Sequence, residues 1–222
     1  MSTNHWFNKK LNSFRMHMDS DELYPDFLNV LLSFIENQTK KPLVIVCIGT
    51  DRSTGDSLGP LIGSKLESAK LKNFDVFGTL KDPVHAVNMK EKMDIITIQY
   101  EEPFIIAIDA CLGKMKNVGE ITISDGPVRP GAAVKKDLPS IGDIHMTGIV
   151  NIGGMMEYFV LQNTRLFTVM SMADMMAKLL IEADQWIEQS VLPSYSNTPI
   201  TTHKQEKRLT SAFHFFKSEK LK

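Results

Sequence analysis

The stretch from Val44 to Gly63, VIVCIGTDRSTGDSLGPLIG, decides the fold. Leu43 to Ile48 is an unbroken apolar run rich in β-branched residues, which reads as a strand buried on both faces. It stops at Gly49. A polar loop from Thr50 to Ser57 comes next, holding Asp51, Arg52 and Asp56. Leu58-Gly59-Pro60 then opens an amphipathic helix with Leu61, Ile62 and Leu66 on its apolar side. Strand, loop and helix make the start of a βα unit. Open α/β sheets place ligands at the carboxyl ends of their strands, so this loop is expected to form half of an active site.

Outward from this unit, the same alternation continues. Pro25 to Asn37 carries Phe27, Leu28, Val30, Leu31, Leu32, Phe34 and Ile35, which predicts a helix before the strand. The helix after Pro60 is expected to run to about Leu71. Asp75–Gly78 reads as a short strand, His85–Met93 as a helix, and Asp94–Tyr100 as ambiguous. Phe104–Ile108 is a second buried strand ending at Asp109-Ala110-Cys111, and Gly119–Ser124 a third. The segment from Asp125 to Gly142 is rich in glycine and proline and reads as a long irregular loop, a kind that is usually functional or disordered. Asp143–Gly148 continues it. A helix is expected from about Ile149 to Leu161, a last strand over Arg165–Met170, an N-cap at Ser171, and a long helix over Met172–Val191.

This pattern predicts an α/β fold: a three-layer α/β/α sandwich around a mostly parallel sheet. The expected organisation is a polar arm over 1–24, one domain over 25–193, and a basic, phenylalanine-bearing tail over 194–222.

The chain of 222 residues can bury a full core. Its formal net charge of -1 gives no whole-chain reason to expect nucleic acid or a membrane as partner. No apolar run approaches the ~18 residues of a membrane span. The N-terminus has no apolar signal core, and the two cysteines, Cys47 and Cys111, sit in or beside apolar runs. These features read as a cytoplasmic protein with reduced thiols. The sequence does not fix the oligomeric state.

Asp56 and Asp109 each come after a buried strand. If the strands are neighbours, the carboxylates face one another across a crevice, where they can share a proton or hold a divalent metal. The competing reading makes Asp56 an N-cap of the helix at Leu58. His145, in GDIHMTG, is a candidate nitrogen ligand for such a metal, against the plainer reading of a loop histidine; His85, in DPVHAVN, is a weaker version of the same case. Gly49, Gly55 and Gly59 are spaced G-x5-G-x3-G with no following Lys-Ser or Lys-Thr, which departs from nucleotide fingerprints. Ser53, Ser57 and Cys111 carry no nucleophile signature.

Together, IGTDRSTGDSLGP, DPVHAVN, AIDACLG, GPVRPGAAV and GDIHMTGIVN resemble the YyaC-type sporulation proteins (DUF1256) over roughly Lys41 to Leu180. That family is similar to the germination protease and the hydrogenase maturation endopeptidases of the HybD kind, which share a phosphorylase/hydrolase-like α/β/α fold. Thr54–Pro60 and Ala107–Ala110 match the germination protease's two aspartate motifs. The resemblance therefore implies Asp56 and Asp109 as a catalytic pair of a peptidase acting on a protein or peptide in the sporulating cell or forespore. Hydrogenase proteases add a histidine and a metal, which would make Asp56, Asp109 and His145 the ligands. The alternative is a non-catalytic sporulation protein that keeps the fold to bind a protein partner.

Overall fold

The computed structural model describes residues 12–130 and 139–191. The expected tail, 194–222, lies outside the described residues, as does the middle of the Gly/Pro loop, 131–138. The sheet has six strands in the order β1-β5-β6-β4-β2-β3. These are β1 (Ser13–His17), β2 (Leu43–Cys47), β3 (Phe74–Phe77), β4 (Phe104–Gly113), β5 (Glu120–Asp125) and β6 (Ile144–Ile152). The pairings β2–β3, β2–β4 and β4–β6 are parallel, while β1–β5 and β5–β6 are antiparallel. The sheet is thus mostly parallel, as the alternation of strands and helices predicts.

β2 is buried at all five positions because both its faces are covered. On one face, α1 (Tyr24–Ile35), α2 (Leu58–Ala69) and α5 (Leu166–Val191) pack Phe27, Leu31, Ile62, Leu66, Met176 and Leu180 against Ile45, Ile106, Ile123 and Met146. On the other, α3 (Met89–Gln99) sets Met89 and Ile96 against Val44, Val46 and Ala107. Each fully buried aliphatic side chain contributes roughly 1.5–3 kcal/mol relative to exposure.

Four expectations are corrected. Ser13–His17 is an edge strand, not part of a loose arm: Met16 is buried, and the Phe14 ring meets Phe27 edge-on at 5.8 Å between centroids. The short α3 begins at Met89 and absorbs the ambiguous segment. The third correction is the largest. Ile144–Ile152 is a strand between β4 and β5, so neither a loop at DIHMTG nor a helix from Ile149 forms. The glycine in its middle packs tightly, since a Cβ on Gly148 would lie 2.6 Å from Leu58 Cδ2 and 2.7 Å from Met172 Cε, the far ends of two flexible side chains. Only α4 (Glu157–Gln162) remains of the expected helix. Arg165–Met170 is not a strand either. α5 starts at Leu166 and runs through Ser171, with Leu166 and Phe167 outward and Val169 and Met172 buried.

Candidate functional site

Asp56 is positioned by the loop that leaves β2. Gly49 has φ +148°, and its missing side chain lets the chain close on itself: a Cβ there would lie 1.9 Å from the Asp56 carbonyl oxygen. That oxygen accepts the Thr50 N–H at 3.0 Å. Gly59 performs the same service on the helix side, since its Cβ would lie 2.2 Å from Ile48 O. The spaced glycines therefore serve close packing of α2 on the end of β2. A short 3-10 turn, Gly55–Ser57, precedes α2, and Ser57 occupies the N-cap position without a side-chain cap bond. Asp56 does not cap the helix, which leaves its carboxyl free.

Asp109 comes from β4. β2 stops opposite Ile108, while β4 continues to Gly113. The second carboxylate thus stands one residue beyond the level at which its neighbour ends, rather than at the end of its own strand. Asp109 Oδ1 accepts the Ala110 N–H at 2.9 Å.

Asp56 and Asp109 line one cavity of about 680 Å³. The loop Thr50–Arg52, the segment Pro83–Val87, the edge Ala110–Leu112, Val128–Pro130, Thr147 and the face of α4 complete its wall. A smaller pocket of about 380 Å³, near Phe104 and Ile144, lies at the opposite ends of β4 and β6 and holds neither aspartate. The larger cavity sits where such sheets bind ligands.

The two carboxyls are not equivalent. The Asp109 carboxyl is largely enclosed by protein, with part of the residue open to the cavity. Its pKa is pushed up to about 8, first by desolvation and further by the charge of Asp56, against the opposing Ala110 N–H. Asp56 is also raised by burial, an effect tempered by the nearby Ser53 hydroxyl. The Ser53 Oγ is buried and makes no well-formed hydrogen bond among the described residues, so its contact with Asp56 is a loose one. Near pH 7 Asp109 therefore holds its proton for most of the time, with Asp56 beside it on the same cavity wall.

His145 is not brought to the pair. It lies on β6 two residues before Thr147, the residue opposite Asp109, and its Nδ1–H donates to Gly126 O at 2.8 Å. Among the described residues no three His, Cys, Asp or Glu side chains are grouped to hold a metal ion. The expected three-ligand set of Asp56, Asp109 and His145 is therefore not assembled. His85 does reach the cavity, reversing the order in which sequence ranks the two histidines. Its Nδ1 accepts the Val87 N–H at 3.2 Å, which leaves the proton of the neutral ring on Nε2.

The other nucleophile candidates are silent. Ser57 Oγ donates to Thr54 O at 2.7 Å. Cys111 lines the cavity, but burial and the neighbouring Asp109 push its thiol up to about 11, so it carries little thiolate at neutral pH. Cys47 is a core residue whose thiol is raised by burial alone. Thr147, Arg129, Glu157 and Tyr158 also line the cavity. Sequence offers no signal for these four. Thr147 and Arg129 sit in segments that read as loop, and Glu157 and Tyr158 lie on a helix whose outlook only the fold decides.

Comparison with solved structures finds a [NiFe] hydrogenase maturation protease HycI from Thermococcus kodakarensis KOD1. It is 17% identical, with TM-score 0.49, over 70% of this chain and 99% of that one. A hydrogenase 3 maturation protease matches at 15% identity and TM-score 0.37, over 63% and 89% of the two chains. Among curated proteins, the Bacillus subtilis (strain 168) protein named "Uncharacterized protein YyaC" is 56% identical over 166 residues, which is 74% of this chain and 81% of that protein. Residues 15–179 match the family described as "Protein of unknown function (DUF1256)". With that match and that relative, the chain belongs to the DUF1256 family.

Proposed function

We propose that this chain hydrolyses peptide bonds, with Asp56 as base and Asp109 as acid, and that it does so in the sporulating cell. The observation that carries the reading is the placing of both carboxyls on the wall of one cavity, with Asp109 pushed up to about 8 by burial and by the charge of Asp56. Asp56 takes a proton from water as its oxygen bonds to the scissile carbonyl carbon. Asp109 gives its proton to the leaving nitrogen as the C–N bond breaks, and the two carboxyls then exchange their proton states through solvent. The resemblance to the YyaC-type sporulation proteins supports the cellular setting.

The test is mass-spectrometric detection of new N-termini after incubating the purified chain with proteins extracted from sporulating cells. Fragments made by the wild-type chain and absent with Asp56→Asn and with Asp109→Asn are expected. The same fragments in both variants would remove the pair from the mechanism. A second reading, a non-catalytic partner-binding protein, draws on the exposed Met155, Met156, Tyr158, Phe159, Leu166 and Phe167. Stable capture of a defined protein with no cleavage would favour it.

A further inference from the structure

The ladder between β2 and β4 ends abruptly beside the carboxyl pair. Its last rung is Ile48 N–H to Ile108 O at 2.7 Å. The chain then turns away, and the Gly49 N–H donates to Val84 O instead. β4 does not stop there. It continues to Gly113, paired with β6 on its other side only. Successive residues of a strand direct their backbone groups to alternate edges. Ile108 faces the side that β2 vacates, so Ala110 and Leu112 face it too; the shift in pairing between Cys111 and Leu112 puts its extra residue, Val150, on β6 and leaves β4 regular. Gly113 confirms the alternation, because its oxygen accepts the Gly153 N–H on the β6 side. The Ala110 N–H is taken by Asp109 Oδ1. That leaves Ala110 O, Leu112 N–H and Leu112 O along an edge that borders the cavity, with no strand beside them among the described residues.

We propose that an extended polypeptide docks on this edge as an added strand, its backbone on Ala110 and Leu112 and its scissile bond carried past Asp109 and Asp56. Run parallel to β4, one peptide residue would donate its N–H to Ala110 O and accept the Leu112 N–H on its own carbonyl, which continues the pattern that Ile48 begins. The side chains of the peptide would alternate between two apolar walls. Tyr158 and Leu161 of α4 form one, and Val128 and Pro130 form the other. The substrate class is therefore an extended segment with apolar side chains on both sides of the docked residue. A folded surface or a small phosphorylated molecule would leave the edge unmatched. The docking deepens the peptidase reading above, and rests on it only for the bond cleavage after binding.

The probe is a blocked dodecapeptide selected from a random display library on the full Asp56→Asn chain. Its backbone nitrogens are then methylated one at a time. Strand docking predicts that alternate positions lose up to about tenfold in affinity while the positions between them tolerate the change, since each lost backbone bond is worth at most about that much. The Leu112 amide should exchange with solvent more slowly when the peptide is bound. Tyr158→Asp, at an exposed position, should weaken binding without unfolding the chain. Methylation losses without a period of two, unchanged exchange at Leu112, or a library that yields no binder would each overturn the proposal. If the wild-type chain binds the peptide in this register but never cuts it, the peptidase reading falls and the docking stands. If it cuts a peptide that lacks the alternation, the docking alone falls.

Discussion

The Asp109 carboxyl, on β4, keeps its proton up to about pH 8 partly because Asp56, from the loop after β2, presents its charge to the same cavity. Burial is the larger cause and Asp56 the smaller. The order of these two causes fixes what each substitution should do.

Removing Asp109 is expected to stabilise the chain in a pH-dependent way. The folded chain holds this proton between the ordinary value of 3.8 and about 8, a window in which the unfolded chain has released it. The folded state binds more protons there, so stability falls as pH rises through the window and levels off above it. Asp109→Asn retains an oxygen for the Ala110 N–H and needs no proton. At pH 8 it should be more stable than wild type by roughly 1–3 kcal/mol, a range kept low because the cavity leaves the group partly solvated. The gain should vanish near pH 4. Urea unfolding across this range checks it, and a gain independent of pH would contradict the assignment.

Asp56→Asn should lower the Asp109 midpoint while leaving it above 3.8, since desolvation remains when the neighbouring charge is gone. Carboxyl carbon NMR reads this directly. An unchanged midpoint would mean that the two groups do not sense each other.

The motifs that best expose the site in sequence are IGTDRSTGDSLGP, AIDA and the buried run before each. β2, β4 and the helix after Pro60 are legible because burial on both faces removes polar residues from a strand and because Gly-Pro punctuates the helix start. β6 is hidden for the opposite reason. His145 and Thr147 face the less covered side of the sheet, and Gly148 answers to pressure from Leu58 and Met172, contacts that no local pattern announces. Reading β6 as a loop also misplaces His145, which makes it look like a loop ligand. β1 escapes notice because only Phe14 and Met16 of its five residues are apolar. In α5, the first turn exposes Leu166 and Phe167, so its run of apolar residues imitates a strand.

The glycines separate two kinds of crowding. Gly59→Ala drives a Cβ into the Ile48 backbone, which cannot step aside, and should cost about 3 kcal/mol or more. Gly148→Ala meets only the far ends of the Leu58 and Met172 side chains, and should cost about 1–2 kcal/mol. Chemical denaturation of the two variants tests the order; equal losses would mean that the strand-to-helix approach at Ile48 is softer than its geometry implies.

Asp184 fastens α5 to the turn between α2 and β3. It is buried, and its carboxyl accepts the Lys72 and Asn73 backbone N–H groups at 2.8–3.2 Å and the Asn73 side-chain amide at 3.1 Å. Asp184→Ala leaves these donors unpaired and should destabilise the chain by about 2–4 kcal/mol. Differential scanning calorimetry would record the loss, and an unaltered melting temperature would show the turn to be held by other means.

The place of β1 sets a timetable for assembly. Ser13–His17 is synthesised before the other five strands, yet it pairs with Glu120–Ser124, far along the chain. β2, β3 and β4 follow one another in the chain, each joined to the next by one helical crossover, so the half of the sheet bearing the carboxyl pair can form while the first-made strand still waits for its partner to leave the ribosome. Pulse-labelled exchange during refolding should find the β2 amides shielded early and those of Arg15 and Met16 last; simultaneous shielding would mean that the sheet closes in one step.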